Sequence, residues 1–563
     1  MKKYLPLLAW LPGYDRGLLT RDVVAGITVW ALAVPESMAY AGIAGVPVQY
    51  GLYAIPLALL GYVVFGSCRQ LFVGPSATVA SISAVVVGGA AAGSTDAGKL
   101  VALSAALALT VGVLYVVLGL LRMGFVARFF AKPVLAGFIV GLGLYIAVGQ
   151  FPKLVGAEKP DGNTVQIFFR TLREIGSWTT ATVIVGALAL AALFALARFA
   201  PRLPGALIVA AAAILSVDAF NLEAHGVEIV GNVPTGFQFV SWSTVGWGDI
   251  EQMLPGAFAI LIVGFAQSVA IAKSYGAKNG YRIDASQEMI GYGAANLGAG
   301  ALPGFTVTGS LSKSAAAEEA RGKSPMLLVV TAGATVLTIL WLAGLFEKLP
   351  EAALAAIVIH AVWGMLSPRP LTSLWRTHRD EFLLAAGALL GVILIGILAG
   401  VVIGVVLSFV LLIHWLDHPR ISILGRNRDD TAFTEITPES GAVPVPGVLI
   451  YRFEASIVFA NAELFSDAVL EAVAATDPPP RAVVLDFEAV PALDSTGEAE
   501  LADLKRTLEE RKLQVVIARA AGDTLEWLQS DGIAGGSLYP TVEAAVATLT
   551  SVPADGRPLA GVS

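Results

Sequence analysis

Between Val23 and Leu416 the chain runs as one apolar stretch after another, separated only by short polar turns. Backbone groups in hydrocarbon must be satisfied within the chain, and long continuous runs do so as membrane helices. The chain is 56% hydrophobic and 14% charged, whereas soluble domains hold ~45–50% apolar and ~25% charged residues. We place spans at 23–42, 50–65, 77–92, 100–120, 134–150, 180–199 and 205–217. A second set follows at 254–272, 285–300, 310–318, 326–346, 351–366, 382–397 and 400–416. Several fall short of the ~20 residues of a full crossing, and 77–92 and 310–318 read as half-helices.

Charge placement supports this layout with both chain ends in the cytoplasm. The predicted inner turns hold Arg69, then Arg122, Arg128 and Lys132, then Arg198 and Arg202. In the second set they hold Lys273, Lys278 and Arg282, then Arg321 and Lys323, then Arg369, Arg376 and Arg379. The outer loop from Asp218 to Met253 has no Lys or Arg, as the positive-inside rule requires. The outer loop with Lys153, Lys159, Arg170 and Arg173 breaks the pattern, through a surface helix or a shifted boundary.

The stretch Pro303 to Ala317 stands apart, with a proline, glycines, several hydroxyls and the lone cation Lys313 among apolar spans. A lipid-facing helix would not carry that composition. Irregular backbone feeding a helix N-terminus inside a cavity would. Such a terminus offers free N–H groups and a positive dipole end, which favour an anion. Gly74-Pro-Ser-Ala-Thr-Val-Ala-Ser-Ile-Ser83 opens the third span of the first set much as Thr308-Gly-Ser-Leu-Ser-Lys-Ser-Ala-Ala316 opens the third of the second. An odd number of spans per set makes the halves inverted, and paired interrupted segments in inverted halves point to a transporter binding site.

Past Asp417 the apolar runs stop. We read 1–20 as a cytoplasmic N-terminus, 21–417 as the membrane domain and 418–446 as a polar linker. Residues 447–552 read as a small α/β domain and 553–563 as a tail. Strand-like runs at Val448–Phe453, Ala482–Phe487 and Leu513–Ala518 alternate with helix-like runs at Ala462–Ala475, Thr496–Arg511, Asp523–Gln529 and Val542–Leu549. The single cysteine, Cys68, excludes an internal disulfide, and five scattered histidines lack metal-ligand spacing. A net charge of −7 speaks against nucleic acid. Met1 to Thr20 shows no signal-peptide pattern, so the first span is expected to insert the protein. No nucleotide loop or catalytic triad stands out, and we expect neither an enzyme nor a cofactor.

In sequence the chain resembles the sulfate permease (SulP) family of sulfate-transporter solute carriers over nearly its whole length. The motifs are Asp22-Val-Val-Ala-Gly26, Val34-Pro-Glu-Ser-Met-Ala-Tyr40, Gly51-Leu-Tyr53, Gly66-Ser-Cys-Arg-Gln70, Ala272-Lys-Ser-Tyr-Gly276, Gln287-Glu288, Asn296 and Thr308-Gly-Ser-Leu-Ser-Lys-Ser314. Beyond the spans come His418-Pro419, Leu424-Gly-Arg426, Tyr451-Arg-Phe453, Phe459-Ala-Asn-Ala-Glu463 and Asp494-Ser-Thr-Gly497. The resemblance implies a polytopic α-helical membrane protein of fourteen spans in two inverted seven-span repeats. It also implies core and gate domains, as in the uracil-transporter-type fold, a cytoplasmic STAS domain and a homodimer.

Lys313 is the first site candidate, since a cation beside a helix N-terminus would compensate a buried anion. The alternatives are pairing with an acid or snorkelling to an interface. Glu36 is the other ionisable group deep in a predicted span, costly there unless protonated or paired. A proton on it could travel with an anion, and the resemblance implies the same, since proton-coupled relatives carry Pro-Glu where others carry Pro-Gln. A structural Glu36–Lys313 pair is the competing reading. Tyr40 lies one turn from Glu36 on the same face, and the family pattern places its equivalent at the substrate. Ser76, Ala77 and Thr78 would offer N–H and hydroxyl groups from the first half-helix, and Ser310, Leu311 and Ser312 from the second. Hydroxyls in spans also bond their own helix carbonyls. Gln267 is neutral where many relatives carry an acid, which speaks against sodium coupling. Ser495 matches a phosphorylated serine of related STAS domains, yet Ser495-Thr-Gly-Glu498 is also a plain capping box, the reading we favour.

These residues point to proton-coupled secondary transport of a small inorganic oxyanion, sulfate first, across the cell membrane. Bicarbonate or a dicarboxylate is the neighbouring alternative. A passive anion channel, and a membrane-anchored signalling adaptor working through its STAS domain and a cytoplasmic partner, are readings of other classes.

Overall fold

The computed structural model describes the chain except residues 1–4, 126–130, 202, 417–418, 428–431, 531–536 and 552–563. Arg128, Arg202, His418 and the expected tail therefore lie outside the described residues.

The short α1 (Leu7–Trp10) precedes the first repeat. That repeat is α2 (Leu19–Ala44), the broken pair α3 (Gln49–Tyr53) and α4 (Pro56–Phe65), then strand β1 (Phe72–Gly74) with α5 (Ala77–Ala90). It continues through α6 (Ala97–Leu120), α7 (Lys132–Val155), the surface helix α8 (Thr164–Arg173), α9 (Thr180–Phe199) and α10 (Gly205–Ala219). The second repeat is α11 (Trp247–Lys278), α12 (Ala285–Ala301), β2 (Thr308–Ser310) with α13 (Leu311–Glu319), and α14 (Met326–Leu337). A tightened π and 3-10 extension carries α14 on to Phe346, before α15 (Glu351–Val362), the amphipathic α16 (Arg369–Thr377), α17 (Arg379–Leu394) and α18 (Ile397–Leu416). Counting α3 and α4 together and leaving out α1, α8 and α16, these are the fourteen expected spans. Among the described residues eight are long and apolar enough to cross a membrane. Both expected half-helices are short, and each follows a strand.

The helices sort by packing into two groups. In the core, α12 packs on α6 and α4, α14 on α2 and α4, and α11 on α5 and α6. In the gate, α7 packs on α17, α15 and α9, and α10 on α9. The groups meet where α2 lies against α15 and α10. Contact with α2 requires glycine at position 51, since a Cβ there would sit 2.0 Å from the Ser37 carbonyl oxygen. Pro35 inside α2 has no N–H to give the Ala31 carbonyl, which loosens the helix beside Glu36.

The chain divides into two compact units, Met1–Ser408 and Phe409–Ser563. In the second, β3 (Arg420–Arg426), β4 (Phe433–Glu435), β5 (Val448–Glu454), β6 (Ala482–Asp486), β7 (Gln514–Ala518) and β8 (Leu538–Tyr539) form one sheet of order β4-β3-β5-β6-β7-β8. Strands β5 to β8 are parallel and β3 pairs antiparallel with β4 and β5. Helices α19 (Ala462–Ala475), α20 (Ser495–Glu510) and α21 (Gly522–Ser530) share a core with one face, through Phe465, Leu504 and Leu528, and α22 (Val542–Ser551) covers the other with Val546 and Leu549. Two expectations change here. The stretch 418–446, expected as a linker, supplies β4 at the edge of the sheet and β3 between β4 and β5. The cap of α20 is Asp494 and not Ser495. The Asp494 carboxylate accepts from the N–H groups of Thr496 and Gly497 at 3.1 and 2.8 Å, leaving Ser495 exposed in the first turn.

Candidate functional site

The site is built where the two repeats touch. β1 and β2 pair antiparallel, with Phe72 opposite Ser310 and Gly74 opposite Thr308, the pairing that inverted repeats require. α5 leaves one end of this ladder and α13 the other, so their N-termini face each other across a ladder about 7 Å long. Ser76 and Ser310 occupy the N-cap positions in extended backbone, and neither turns its hydroxyl back to cap its helix. The first-turn N–H groups of both helices are thus left open, each terminus carrying roughly half a positive charge.

A directed, buried hydrogen-bond chain holds the ladder against α11. The Gly309 N–H donates to Ser268 Oγ at 2.8 Å, Ser268 donates to Thr308 Oγ1 at 2.6 Å, and Thr308 donates to the Gly264 carbonyl at 3.0 Å. From α12, Asn296 accepts from the Val307 N–H and donates to the Val307 carbonyl, both at 2.9 Å, as a neighbouring strand would. The Phe72 N–H donates to Ser314 Oγ at 2.9 Å. Every outward-facing ladder group named here has a partner, which fixes both helix termini.

Lys313 and Glu36 meet beside these termini. Lys313 Nζ donates to Glu36 Oε2 at 2.5 Å, with side-chain exposures of 1% and 10%. The Tyr40 hydroxyl donates to the same oxygen at 3.2 Å. The ammonium also lies 5.0 Å from the Tyr40 ring centroid and 5.7 Å from that of Phe72, within cation–π range. The Glu36–Lys313 ion pair, one of the readings left open, is present in this conformation.

The other predicted residues divide. Ala77 and Thr78 are buried at the start of α5, with Ser76 half-buried before them. Ser310 is buried with its hydroxyl 3.2 Å from that of Ser312. Ser312 and Leu311 are exposed, Leu311 at 61%, so Leu311 can offer only its backbone N–H. Ser495 belongs to the other unit and takes no part. Phe72, Ser268 and Ser314 are not among the site candidates read from the sequence. Only their hydroxyl or aromatic character near a glycine-rich break marks them, and the ladder register decides their roles.

A second carboxylate is buried in the first turn of α12. Glu288 on α12 accepts from the Tyr62 hydroxyl at 2.8 Å, the Ser67 N–H at 2.7 Å, the Ser67 hydroxyl at 2.6 Å and the Cys68 N–H at 3.0 Å. It clasps the loop leading into β1 with neutral donors alone.

Paired half-helices in inverted repeats, with core and gate groups and a separate α/β domain, define a polytopic membrane protein with a carrier-type fold and a STAS domain. The sulfate permease family model matches residues 19–388 and the STAS domain model residues 442–545. A probable sulfate transporter of Mycobacterium tuberculosis is 32% identical over 556 residues, covering 95% of this chain and 97% of the relative. Probable sulfate transporter 3.4 of Arabidopsis thaliana is 28% identical, covering 99% and 89%. The fold matches the murine Solute Carrier 26 family member A9 anion transporter in its inward-facing state, with TM-score 0.89, 22% identity and coverage of 98% and 94%. The transmembrane domain of the cyanobacterial bicarbonate transporter BicA matches with TM-score 0.60 and 16% identity over 70% of this chain and 98% of that one. The chain belongs to the sulfate permease family.

Proposed function

We propose that the protein is a proton-coupled secondary transporter of a small inorganic oxyanion, sulfate, working by alternating access as a homodimer in the cell membrane with both termini cytoplasmic. The observation that carries this reading is the buried Lys313–Glu36 pair at two opposed, uncapped half-helix termini. Two termini of roughly half a charge each and one ammonium supply about two positive charges. That matches a sulfate dianion once a proton has removed the Glu36 charge and released Lys313 to the anion. Tyr40 then keeps the protonated carboxyl in place. With Glu36 ionised the site holds about one net positive charge, which suits a monoanion and supports bicarbonate as the second reading. The names of the relatives favour sulfate.

The anion would sit on the N–H groups of Ala77, Thr78, Leu311 and Ser312 with the hydroxyls of Ser76, Ser310 and Ser312 around it, and the core would carry it past the gate. Uptake of labelled sulfate into proteoliposomes, with and without an inward proton gradient, tests the reading. Accumulation that requires the gradient supports it. Uptake of bicarbonate with no uptake of sulfate rejects the substrate, and equilibration without accumulation supports a channel instead.

A further inference from the structure

In the orientation proposed above, the α2–α3 turn, the C-terminal end of α7 and the N-terminal end of α15 lie at the outer face. There, a cavity of about 300 Å³ opens between α2 with the α2–α3 turn on the core side and α7 with α15 on the gate side. That volume equals roughly ten waters of liquid, enough for an oxyanion that keeps part of its hydration shell. Its polar lining is Gln49, Gln150, Lys153, Asn232 and Glu351. Gln49 is 9% exposed, and its side chain has no hydrogen-bond partner among the described residues. Its amide is therefore free to bond whatever occupies the cavity.

Lys153 supplies the charge. It is one of the four outer cations that break the positive-inside pattern, and the one of them that lines the cavity. Its ammonium lies 2.8 Å from Glu351 Oε2, with side-chain exposures of 46% and 33%. Both residues belong to gate helices packed on each other, so the pair does not latch core to gate. A partly exposed pair of this kind holds weakly, and Glu351, in the first turn of α15, keeps the helix dipole as a partner if Lys153 turns away. Met38 and Ala39, also in the lining, lie on α2 between Glu36 and Tyr40 in sequence, so the inner end of the cavity reaches the level of the half-helix site.

We propose that this cavity is an outer recruitment subsite for the oxyanion, in which Lys153 attracts the anion, Gln49 and Gln150 hydrogen-bond it, and Glu351 competes with it for Lys153. The proposal rests on the transport reading above.

The test compares Lys153→Gln, Lys153→Arg and Glu351→Gln with wild type, using labelled sulfate uptake in right-side-out and inverted membrane vesicles. Lys153→Gln is expected to raise the outer-face KM roughly five- to tenfold with kcat little changed. Lys153→Arg restores it, and Glu351→Gln lowers the outer-face KM, while the inner-face KM stays constant in all three. A merely structural ion pair would shift Lys153→Gln and Glu351→Gln in the same direction. That result, or equal shifts at both faces, or a loss confined to kcat, overturns the subsite. If wild type carries bicarbonate and no sulfate, the substrate reading fails separately. The same opposite-sign comparison, made with labelled bicarbonate, then decides the subsite.

Discussion

Glu36 and Glu288 are both carboxylates buried among the spans, yet they are held in opposite ways. Glu288 receives four hydrogen bonds from neutral groups, two of them backbone N–H groups that have nowhere else to go. Glu36 is held by one ammonium and one phenol. The donors of Glu288 belong to Tyr62, Ser67 and Cys68, away from the open helix termini, whereas the ammonium on Glu36 lies beside them. On the proposed reading Glu288 therefore fixes the scaffold, while Glu36 switches the site.

The comparison breaks most readily at Lys313. Lys313→Met leaves Glu36 buried without its cation, which should destabilise the membrane domain by about 3–5 kcal/mol and abolish transport. Adding Glu36→Gln should recover most of the stability and none of the transport. Thermal unfolding in detergent would show this, and two additive losses would mean the residues do not interact. Glu288→Gln should cost about 1.5–3 kcal/mol, since the amide keeps one acceptor but opposes N–H donors with its own. Its folded fraction should retain the proton dependence of the wild type, and loss of that dependence would erase the distinction drawn here. Asn296→Leu leaves the Val307 N–H and carbonyl unpaired, and should cost about 1–3 kcal/mol while weakening anion affinity more than maximal rate.

The STAS unit provides a comparison without burial. Hydrogen bonds from the Gly497, Phe459 and Thr496 N–H groups hold the Asp494 carboxyl below its usual value of 3.8. A depressed folded value gives stability that is complete above the unfolded value and fades as pH falls through the folded one. Asp494→Ala should thus cost about 1 kcal/mol near neutrality, and less as the pH is taken below about 4. Ser495→Ala, which leaves the cap intact, should stay within about 0.5 kcal/mol. A calorimetric comparison of the two variants separates the assignments of the cap.

The spans and both half-helices were legible because a proline, glycines and hydroxyls inside apolar sequence have few physical outcomes. Lys313 and Glu36 stood out for the same reason, as charges where charge is expensive. Their pairing was one of several open readings, since sequence spacing does not say which helices touch. Ser268 and Asn296 act through the register of β1 on β2, a contact between residues more than two hundred positions apart. β3 and β4 were hidden in a polar stretch because β3 buries only Ser422, Leu424 and Gly425 and β4 buries none of its residues fully. The N-cap of α20 lay one residue earlier than the serine pattern suggested, because aspartate caps as well as serine does.

The most direct measurement is proton-coupled sulfate uptake by Glu36→Gln beside wild type in proteoliposomes, recording internal pH together with labelled sulfate. Wild type is expected to accumulate sulfate and protons together, while Glu36→Gln moves sulfate at a rate independent of the gradient and carries no proton. A Glu36→Gln variant that still accumulates sulfate with the proton gradient would contradict that expectation.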